Sequence, residues 1–445
     1  MNSFISLFLR RTCQSFWFIP ATLITTAFIA SVVLTWIDHK LQLEAWEGSQ
    51  WLLSTSPAGA RSVLSTIAGS TITVAGVILS TTIVVLTLAS QQYGPRLLRN
   101  FIEDRPSQFV IGSFTSCFIY SILILRSIRS GDFIFVPHLS VLLAVLAALV
   151  CICLMIYFIH HVSVEIQVQS IMARVHRDLR AKIDHLFPSH IGDSNEDEID
   201  EHRDTGEAPR EAVHSVDPGY LQAIRNDLLL EATARENVVV EIKQRPGEFI
   251  FEGDLIAEID LKKNESISKD LIDEVRRSLV IGRFPTSEQD VRFPIQQLEE
   301  IAIRALSPGI NDPHTALECV DYLASAMCTL ARRSFPSEAR YDDSGHLRVL
   351  AKSYDYRNLL DAAFKKIHHH GQLDPCIVCH LFEVLGKIAA TIPCDAGRRT
   401  DVVSLAKRFL DDSESSLQSQ QDKDEIREAY RACMKPILRE IPNPI

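Results

Sequence analysis

Four long uncharged stretches dominate the hydrophobic pattern in the first third of this 445-residue chain. Lys, Arg, Asp and Glu are all missing from residues 12–37, 62–95, 106–125 and 133–164. Each stretch supplies the roughly 20 apolar residues that an α-helix needs to cross a bilayer. The pattern predicts transmembrane spans near 17–37, 66–88, 108–126 and 137–158. Residues 1–160 are therefore predicted to form a four-helix transmembrane domain.

The first span and the loop charges indicate how this domain is oriented. The apolar run of the first span is too long for the core of a signal peptide, so a retained anchor is predicted. One side of the spans carries most of the basic residues: Arg10, Arg11, Arg96, Arg99, Arg105, Arg174, Arg177, Arg180 and Lys182. The opposite side carries Lys40, Arg61, Arg126 and Arg129. Because positively charged loops remain cytoplasmic, both termini are predicted to be cytoplasmic.

The pattern changes to helical amphipathicity after the fourth span. Residues 161–188 are predicted to form one helical stalk that continues this span. Its apolar positions recur every three or four residues: Val168, Ile171, Met172, Val175, Leu179, Ile183 and Leu186. Such a helix packs against a partner helix, including copies of itself in an oligomer. Residues 189–217 follow as a linker, because 193–207 contain eight acidic residues and almost no apolar ones.

Strand-like alternation and turn residues mark residues 218–261 as a small β-rich module. Its run "PGEFIFEGDLIAEI" resembles a hairpin of the barrel-sandwich type found in lipoyl and biotinyl carriers. The hairpin tip has no lysine to carry a prosthetic group, so the shape is predicted without the chemistry. Residues 262–445 are predicted to be mainly helical, with a β-hairpin turning at 343–345. Helices are expected at 266–279, 294–306, 313–333, 356–370, 375–391, 398–411 and 420–439.

Charge separates the two halves of the chain and excludes one class of partner. Residues 1–160 carry nine basic and six acidic side chains, a net charge of +3. The remaining 36 basic and 50 acidic side chains give the rest of the chain a net charge of −14. The fold class predicted is thus a four-span membrane domain followed by a soluble α+β cytosolic domain. Its acidity argues against nucleic-acid binding, which requires a clustered basic face.

No catalytic, cofactor or metal motif stands out in the sequence. The run "CIVCH", from Cys376 to His380, matches the spacing of covalent haem attachment. That chemistry is extracytoplasmic, whereas this segment is predicted to be cytoplasmic. A zinc site that combines Cys376 and Cys379 with the nearby histidines 368–370 is a second alternative, but Asp374 and Pro375 indicate a helix start instead. We therefore predict buried helix thiols, no cofactor, no metal and no enzymatic activity.

The second span is unusually rich in hydroxyl and small side chains. Five of them recur on one helical face: Ser65, Gly69, Thr73, Gly76 and Ser80. One interpretation is close packing between helices, because small residues allow backbones to approach. The other is a polar face that lines a pathway for ions or small solutes. The two are compatible in an oligomer, and packing is favoured.

The run "RALSPGINDPHT", residues 304–315, holds the densest group of polar residues between two predicted helices. The members that could form a functional site or a structural corner are Arg304, Ser307, Asn311, Asp312 and Thr315. We predict a corner in which Gly309 takes a positive φ. Asp312 is predicted to cap the next helix and to pair with Arg304, and Pro313 to start that helix.

The second span and "IAIRALSPGINDPHTA" together resemble the bacterial predicted membrane proteins of the domain of unknown function 2254 family. The resemblance extends from the first span to about residue 390. It implies an inner-membrane, multi-pass protein with a cytosolic tail, and it implies no particular activity. Our leading hypothesis is a channel- or transport-like homo-oligomer whose cytosolic domain regulates it. The alternative is a membrane-anchored sensor or scaffold without a pathway.

Overall fold

The computed structural model describes residues 17–41, 56–93, 104–130, 135–187, 210–260, 268–393 and 395–438. The chain divides into two units, Met1–Ser170 and Ile171–Ile445. The acidic segment 193–207 lies outside the described residues. The predicted linker 189–217 is partly wrong, because its end contains a β-strand that begins at Arg210.

The first unit contains four long helices, each apolar enough to cross a membrane. Their bounds are α1 Phe18–Leu41, α2 Pro57–Tyr93, α3 Arg105–Ser127 and α4 His138–Glu165. The four predicted spans therefore correspond to four helices. Helix α2 has 37 residues, about 55 Å at 1.5 Å per residue, and exceeds the roughly 30 Å thickness of a bilayer core.

Helix α3 is the centre of this unit, because it is the main packing partner of each of the other three helices. Phe114, Tyr120 and Ile124 on α3 are almost completely buried. Gly112 lies at the closest approach between α1 and α3. A β-carbon at this position would lie 2.8 Å from Leu23 Cδ1 and 2.9 Å from Pro20 Cα. The small residue thus sets the α1–α3 distance.

Two aspartates accept hydrogen bonds from the backbone amides at the starts of these helices. Asp38, at the end of α1, accepts hydrogen bonds from the Leu139 amide at 3.1 Å and the Ser140 amide at 3.1 Å. Its carboxylate therefore caps α4, which has no side-chain cap of its own. Asp104 caps α3 and also lies 3.0 Å from His161 Nε2 at the end of α4.

The predicted stalk differs from the structure in two ways. Helix α4 ends at Glu165, and a separate helix α5, Val168–Leu186, begins after a two-residue break. The apolar face of α5 is buried within the second unit, where the Cys319 sulfur lies 3.2 Å from that of Met172. Since its own chain covers this face, α5 does not offer it to another copy. The prediction of one continuous helix is wrong, whereas the prediction that its apolar face packs against other helices is confirmed within the chain itself.

The strands of the second unit form two sheets instead of one module. Their bounds are β1 Arg210–His214, β2 Gly219–Ile224, β3 Val239–Ile242, β4 Phe249–Ile250, β5 Leu255–Asp260, β6 Leu279–Gly282, β7 Ala339–Tyr341 and β8 Leu347–Ala351. A five-stranded sheet has the order β1-β5-β3-β8-β7, and a three-stranded sheet has the order β4-β2-β6. Only β3 and β8 pair in parallel among the strand pairs of the described residues.

The barrel-sandwich-like hairpin predicted within 218–261 is wrong, because β4 and β5 belong to different sheets. The turn between them explains the difference. Gly253 takes a φ of 84°, and its amide donates to the Ser215 carbonyl at 3.0 Å. This contact ties the turn to the β1–β2 loop, so that β4 joins β2 and β5 joins β1 and β3.

Helices cover these sheets and form the rest of the second unit. Their bounds are α6 Asn226–Glu236, α7 Lys269–Ser278, α8 Arg292–Ala305, α9 Pro313–Ala331, α10 Tyr356–Gly371, α11 Pro375–Thr391, α12 Ala396–Ser416 and α13 Gln420–Leu438. The seven helices predicted beyond residue 262 are all present, with ends that differ by at most five residues. Helix α6 was not predicted. The predicted hairpin is formed by β7 and β8, and Gly345 in its turn has a φ of 80°.

A buried carboxylate links the sheets to the helices. Asp290 precedes α8 and is only 5% exposed. Its Oδ1 accepts hydrogen bonds from the Arg292 amide at 2.8 Å and the Tyr354 hydroxyl at 2.7 Å. The Tyr354 hydroxyl also lies 2.9 Å from the Pro246 carbonyl oxygen. Burial raises the pKa of Asp290, and a β-carbon on Gly247 would overlap its Oδ2.

We expect Gly112→Ala to destabilise the membrane unit by about 1–3 kcal/mol, because the added methyl group overpacks the α1–α3 crossing. The measurement is the unfolding of purified protein in detergent. Gly69→Ala is the control, with both variants measured as monomers, since no atom of the same chain lies within 4 Å of a β-carbon there. Equal stability of the two variants would contradict the close approach at Gly112.

We expect Gly247→Ala to destabilise the protein more than Gly253→Ala. Both glycines have a positive φ, 93° and 84°, so both substitutions cost about 1–2 kcal/mol of backbone strain. Only at Gly247 does the new methyl group also meet the Asp290 carboxylate. Chemical denaturation of the two variants measures the difference, and equal losses would show that the contact with Asp290 is unimportant.

Candidate functional site

The five residues predicted to share one face of α2 all lie on its exposed side. Ser65, Gly69, Thr73, Gly76 and Ser80 are exposed in the single chain. The opposite side of α2 is buried, with the core positions Ala60, Leu64, Ile67, Ala75 and Ile78. Nine residues are about two and a half turns, so Gly69 and Ile78 point in opposite directions. The hydroxyl and glycine face is thus turned away from its own helix bundle.

The backbone is accessible along this face, and the hydroxyl of its threonine donates a hydrogen bond within the helix. No atom lies within 4 Å of a β-carbon placed on Gly69 or Gly76. The Thr73 hydroxyl donates to the Gly69 carbonyl at 2.8 Å, which leaves its oxygen free to accept another hydrogen bond. The face can therefore accommodate a closely packed helix or present hydroxyl oxygens to water or an ion.

The 304–315 corner is held by hydrogen bonds among its own residues. The Ser307 hydroxyl donates to the Arg304 carbonyl at 2.6 Å. The Asn311 amide donates to the Ser307 carbonyl at 2.9 Å, and the Asp312 amide to the Ala305 carbonyl at 2.8 Å. Asn311 takes the positive φ, at 49°. The prediction that Gly309 would do so is wrong, because the reversal comes two residues later.

Asp312 caps helix α9 as predicted. Its carboxylate accepts hydrogen bonds from the Thr315 hydroxyl at 2.6 Å and the Thr315 amide at 3.2 Å. These bonds hold the pKa of Asp312 below its ordinary value of 3.8. Pro313 occupies the first turn, and Arg304 lies 3.3 Å from Glu300 on its own helix. Four of the five residues thus have structural contacts, whereas the Asn311 side chain is exposed.

The "CIVCH" segment begins helix α11, with Asp374 as its cap and Pro375 in the first turn. The imidazole of His380 lies 2.9 Å from Asp321 Oδ1 and 3.4 Å from Glu383 Oε2. Cys376 is exposed and Cys379 is half-buried, so the prediction that both thiols are buried is wrong for Cys376. In the part of the chain that the structure describes, no three His, Cys, Asp or Glu side chains form a metal-binding group.

The neighbouring histidines do not join this segment. His368 is 2% exposed and stacks on Phe409 at a centroid distance of 4.0 Å. Its Nε2 lies 2.9 Å from the Ser413 hydroxyl. Burial lowers the pKa of His368 to about 4, so it is a neutral core residue at pH 7. His369 and His370 are exposed on the surface of α10.

Comparison with known protein families shows which family this chain is part of. A family model described as "Predicted membrane protein (DUF2254)" matches residues 13–387. The chain belongs to this family. The match includes the four long helices, the two sheets and the 304–315 corner. It ends within α11, so the last two helices lie outside it.

Proteins of two mycobacterial species are similar to this chain over most of its length. An uncharacterized protein of Mycobacterium tuberculosis, Rv1290c, is 30% identical over 375 residues. An uncharacterized protein of Mycobacterium bovis, Mb1321c, has the same identity over the same length. Each alignment covers 81% of this chain and 71% of the relative. No solved structure matches this chain.

Sequence reasoning missed the three aspartates that connect distant segments. Asp38 and Asp104 lie at span ends, where a charged residue only marks the boundary of an apolar run. Asp290 lies four residues before the predicted helix 294–306 and two residues before α8, and an aspartate so close to a helix start is a recognisable signal. Their partners Ser140, His161 and Tyr354 are 102, 57 and 64 residues away. Nothing local in the sequence indicates such partners.

We expect Asp312→Ala to destabilise the protein by about 1 kcal/mol, because it removes the cap of α9. Asp312→Asn and Asp312→Ser should recover most of that loss, since both side chains can accept the Thr315 amide. Denaturant unfolding gives the free energies. Asp374→Asn, at the cap of α11, is the control for a cap substitution elsewhere. A stable Asp312→Asn protein that has lost its function would instead make this corner a functional centre.

Proposed function

We propose that this protein is a multi-pass protein of the bacterial inner membrane that forms a homo-oligomer with a pathway for a small ion or solute. In this proposal the face of α2 formed by Ser65, Gly69, Thr73, Gly76 and Ser80 meets the same face of other copies. Both termini and the second unit are cytoplasmic, as the distribution of loop arginines indicates.

One observation carries the proposal: the α2 face points away from the bundle that buries the opposite side of the helix. Lipid contact alone would not favour hydroxyls and glycines over larger apolar side chains, which fill other exposed positions of α2 such as Val77 and Ile83. Small residues allow helices to approach, and hydroxyl oxygens can replace part of the hydration shell of an ion. Both properties lie on the same exposed stripe.

The chain connection supports a regulatory role for the second unit. Only Ile166 and Gln167 separate the end of α4 from the start of α5. Helix α5 is anchored in the second unit by Met172, Leu179 and Ile183, each at most 1% exposed. A rearrangement of that unit would therefore move a helix attached directly to the fourth span.

The alternative is a membrane-anchored scaffold without a pathway. The ordered contacts of the 304–315 corner and the large helical surface of the second unit suit such a role. It predicts no flux in proteoliposomes, whatever the oligomeric state.

We expect Gly69→Leu and Gly76→Leu to reduce oligomer formation strongly, because the side chains would force neighbouring helices apart. Native mass spectrometry measures assembly, and ion flux into proteoliposomes measures the pathway. Val77→Leu is the matched control, since Val77 is 60% exposed on a neighbouring part of the same helix. Intact assembly with reduced flux would place the glycines on an open pathway. Normal behaviour in both assays would mean that the face meets only lipid and would refute the proposal.

The proposed topology is tested by enzyme fusions. Alkaline phosphatase, which is active only outside the cytoplasm, should be inactive when fused after residue 160. It should be active when fused near Ser54, between the first two spans. The reverse pattern would place the second unit outside the cytoplasm and contradict the proposed orientation.

A further inference from the structure

An open cleft lies where the two sheets of the second unit meet. It is bounded by the β1–β2 loop, by β5, by the end of α7 and by β6. Its volume is about 570 Å³, within the roughly 300–1,000 Å³ of small-molecule sites. The cleft has no part in the α2 face or the 304–315 corner.

The floor and rim of the cleft are apolar. Ile256 is 1% exposed, Leu279 is 4% exposed, and Ile281 lies beside them on β6. Val216, on the β1–β2 loop, is 62% exposed at the rim. A ligand with an apolar portion would cover Val216 and the exposed part of Ile281, and it would gain free energy in proportion to the apolar area that it removes from water.

Two arginines give the same cleft a cationic side. The Nε of Arg276 donates to the His214 carbonyl at 3.1 Å, and its Nη1 lies 3.4 Å from Asp273 Oδ1. These contacts fix the guanidinium group and leave its Nη2 for a ligand. Within the described ranges, Arg283 has no hydrogen-bond or ion-pair partner. Arg283 is exposed at the edge of the cleft, so its guanidinium group is accessible to an anion.

We propose that this cleft binds a small organic anion. A phosphate or carboxylate group would lie between Arg276 and Arg283, because guanidinium groups match the geometry of both. The rest of the ligand would lie against Val216, Ile256 and Ile281. Asp217 also lines the cleft, and Asp273 is paired with Arg276. The cationic side is therefore only weakly positive, which favours a ligand with a single anionic group.

The binding can be measured on purified full-length protein in detergent, by calorimetry and by the shift in thermal unfolding. Three probes separate the possible anions: inorganic phosphate, adenosine monophosphate and octanoate. We expect an organic probe to bind more tightly than inorganic phosphate, because only it covers the apolar floor. The stronger of the two organic probes shows which combination of anionic group and remaining ligand the cleft prefers.

Substitutions in the cleft then test the proposed contacts. Arg283→Gln should weaken binding at least roughly tenfold, as expected for the loss of a charge-assisted hydrogen bond. Val216→Glu should abolish binding, and its exposed position makes misfolding a small risk. Asp217→Asn should tighten binding, because it removes a repulsive charge. Arg431→Gln, at an exposed arginine on α13, is the control and should change nothing.

Two results would overturn the proposal. One is the absence of binding by all three probes at millimolar concentration. The other is equal affinity of Arg283→Gln and Arg431→Gln for the strongest probe. Neither result depends on ion flux, so the cleft and the proposed membrane pathway stand or fall separately.

Discussion

The carboxylate of Asp290 joins three segments of the second unit that are far apart in the sequence. It accepts hydrogen bonds from the Arg292 amide at the start of α8 and from the Tyr354 hydroxyl. It also lies against Gly247 in the turn after β3. A buried charge is tolerated only when such partners surround it. Each partner therefore fixes one segment. These contacts hold the start of α8 to the sheets. Because α8 is a continuous helix, they also fix the position of the 304–315 corner at its other end.

Local signals made much of this fold predictable from the sequence. The four long helices follow from the length of the uncharged runs alone. Asp312 with Pro313 and Asp374 with Pro375 mark helix starts, because the capping bond and the proline ring involve only neighbouring residues. The hairpin at Gly345 is likewise closed by residues within a few positions of one another. These elements agree closely with the structure.

Long-range pairing made the rest unpredictable. Strand β3 pairs with β8, more than 100 residues later, and β4 and β5 separate into two sheets. Periodicity identified the buried face of α5 but not its partner, which is the chain's own second unit. It also identified the polar face of α2, but only the packing against α3 reveals that this face points outward. In the corner, both Gly309 and Asn311 could take a positive φ. The backbone amides of Asn311 and Asp312 donate hydrogen bonds to the Ser307 and Ala305 carbonyls, and these bonds place the positive φ at Asn311.

The bond between Asp38 and the start of α4 has a consequence for how the protein is made. The carboxylate comes from the end of the first helix, 101 residues before the Leu139 amide that it receives. During synthesis, the acceptor is thus made long before the amide groups that it binds. Removal of the first helix would leave the Leu139 and Ser140 amides without this side-chain acceptor, so the start of the last helix depends on the first one.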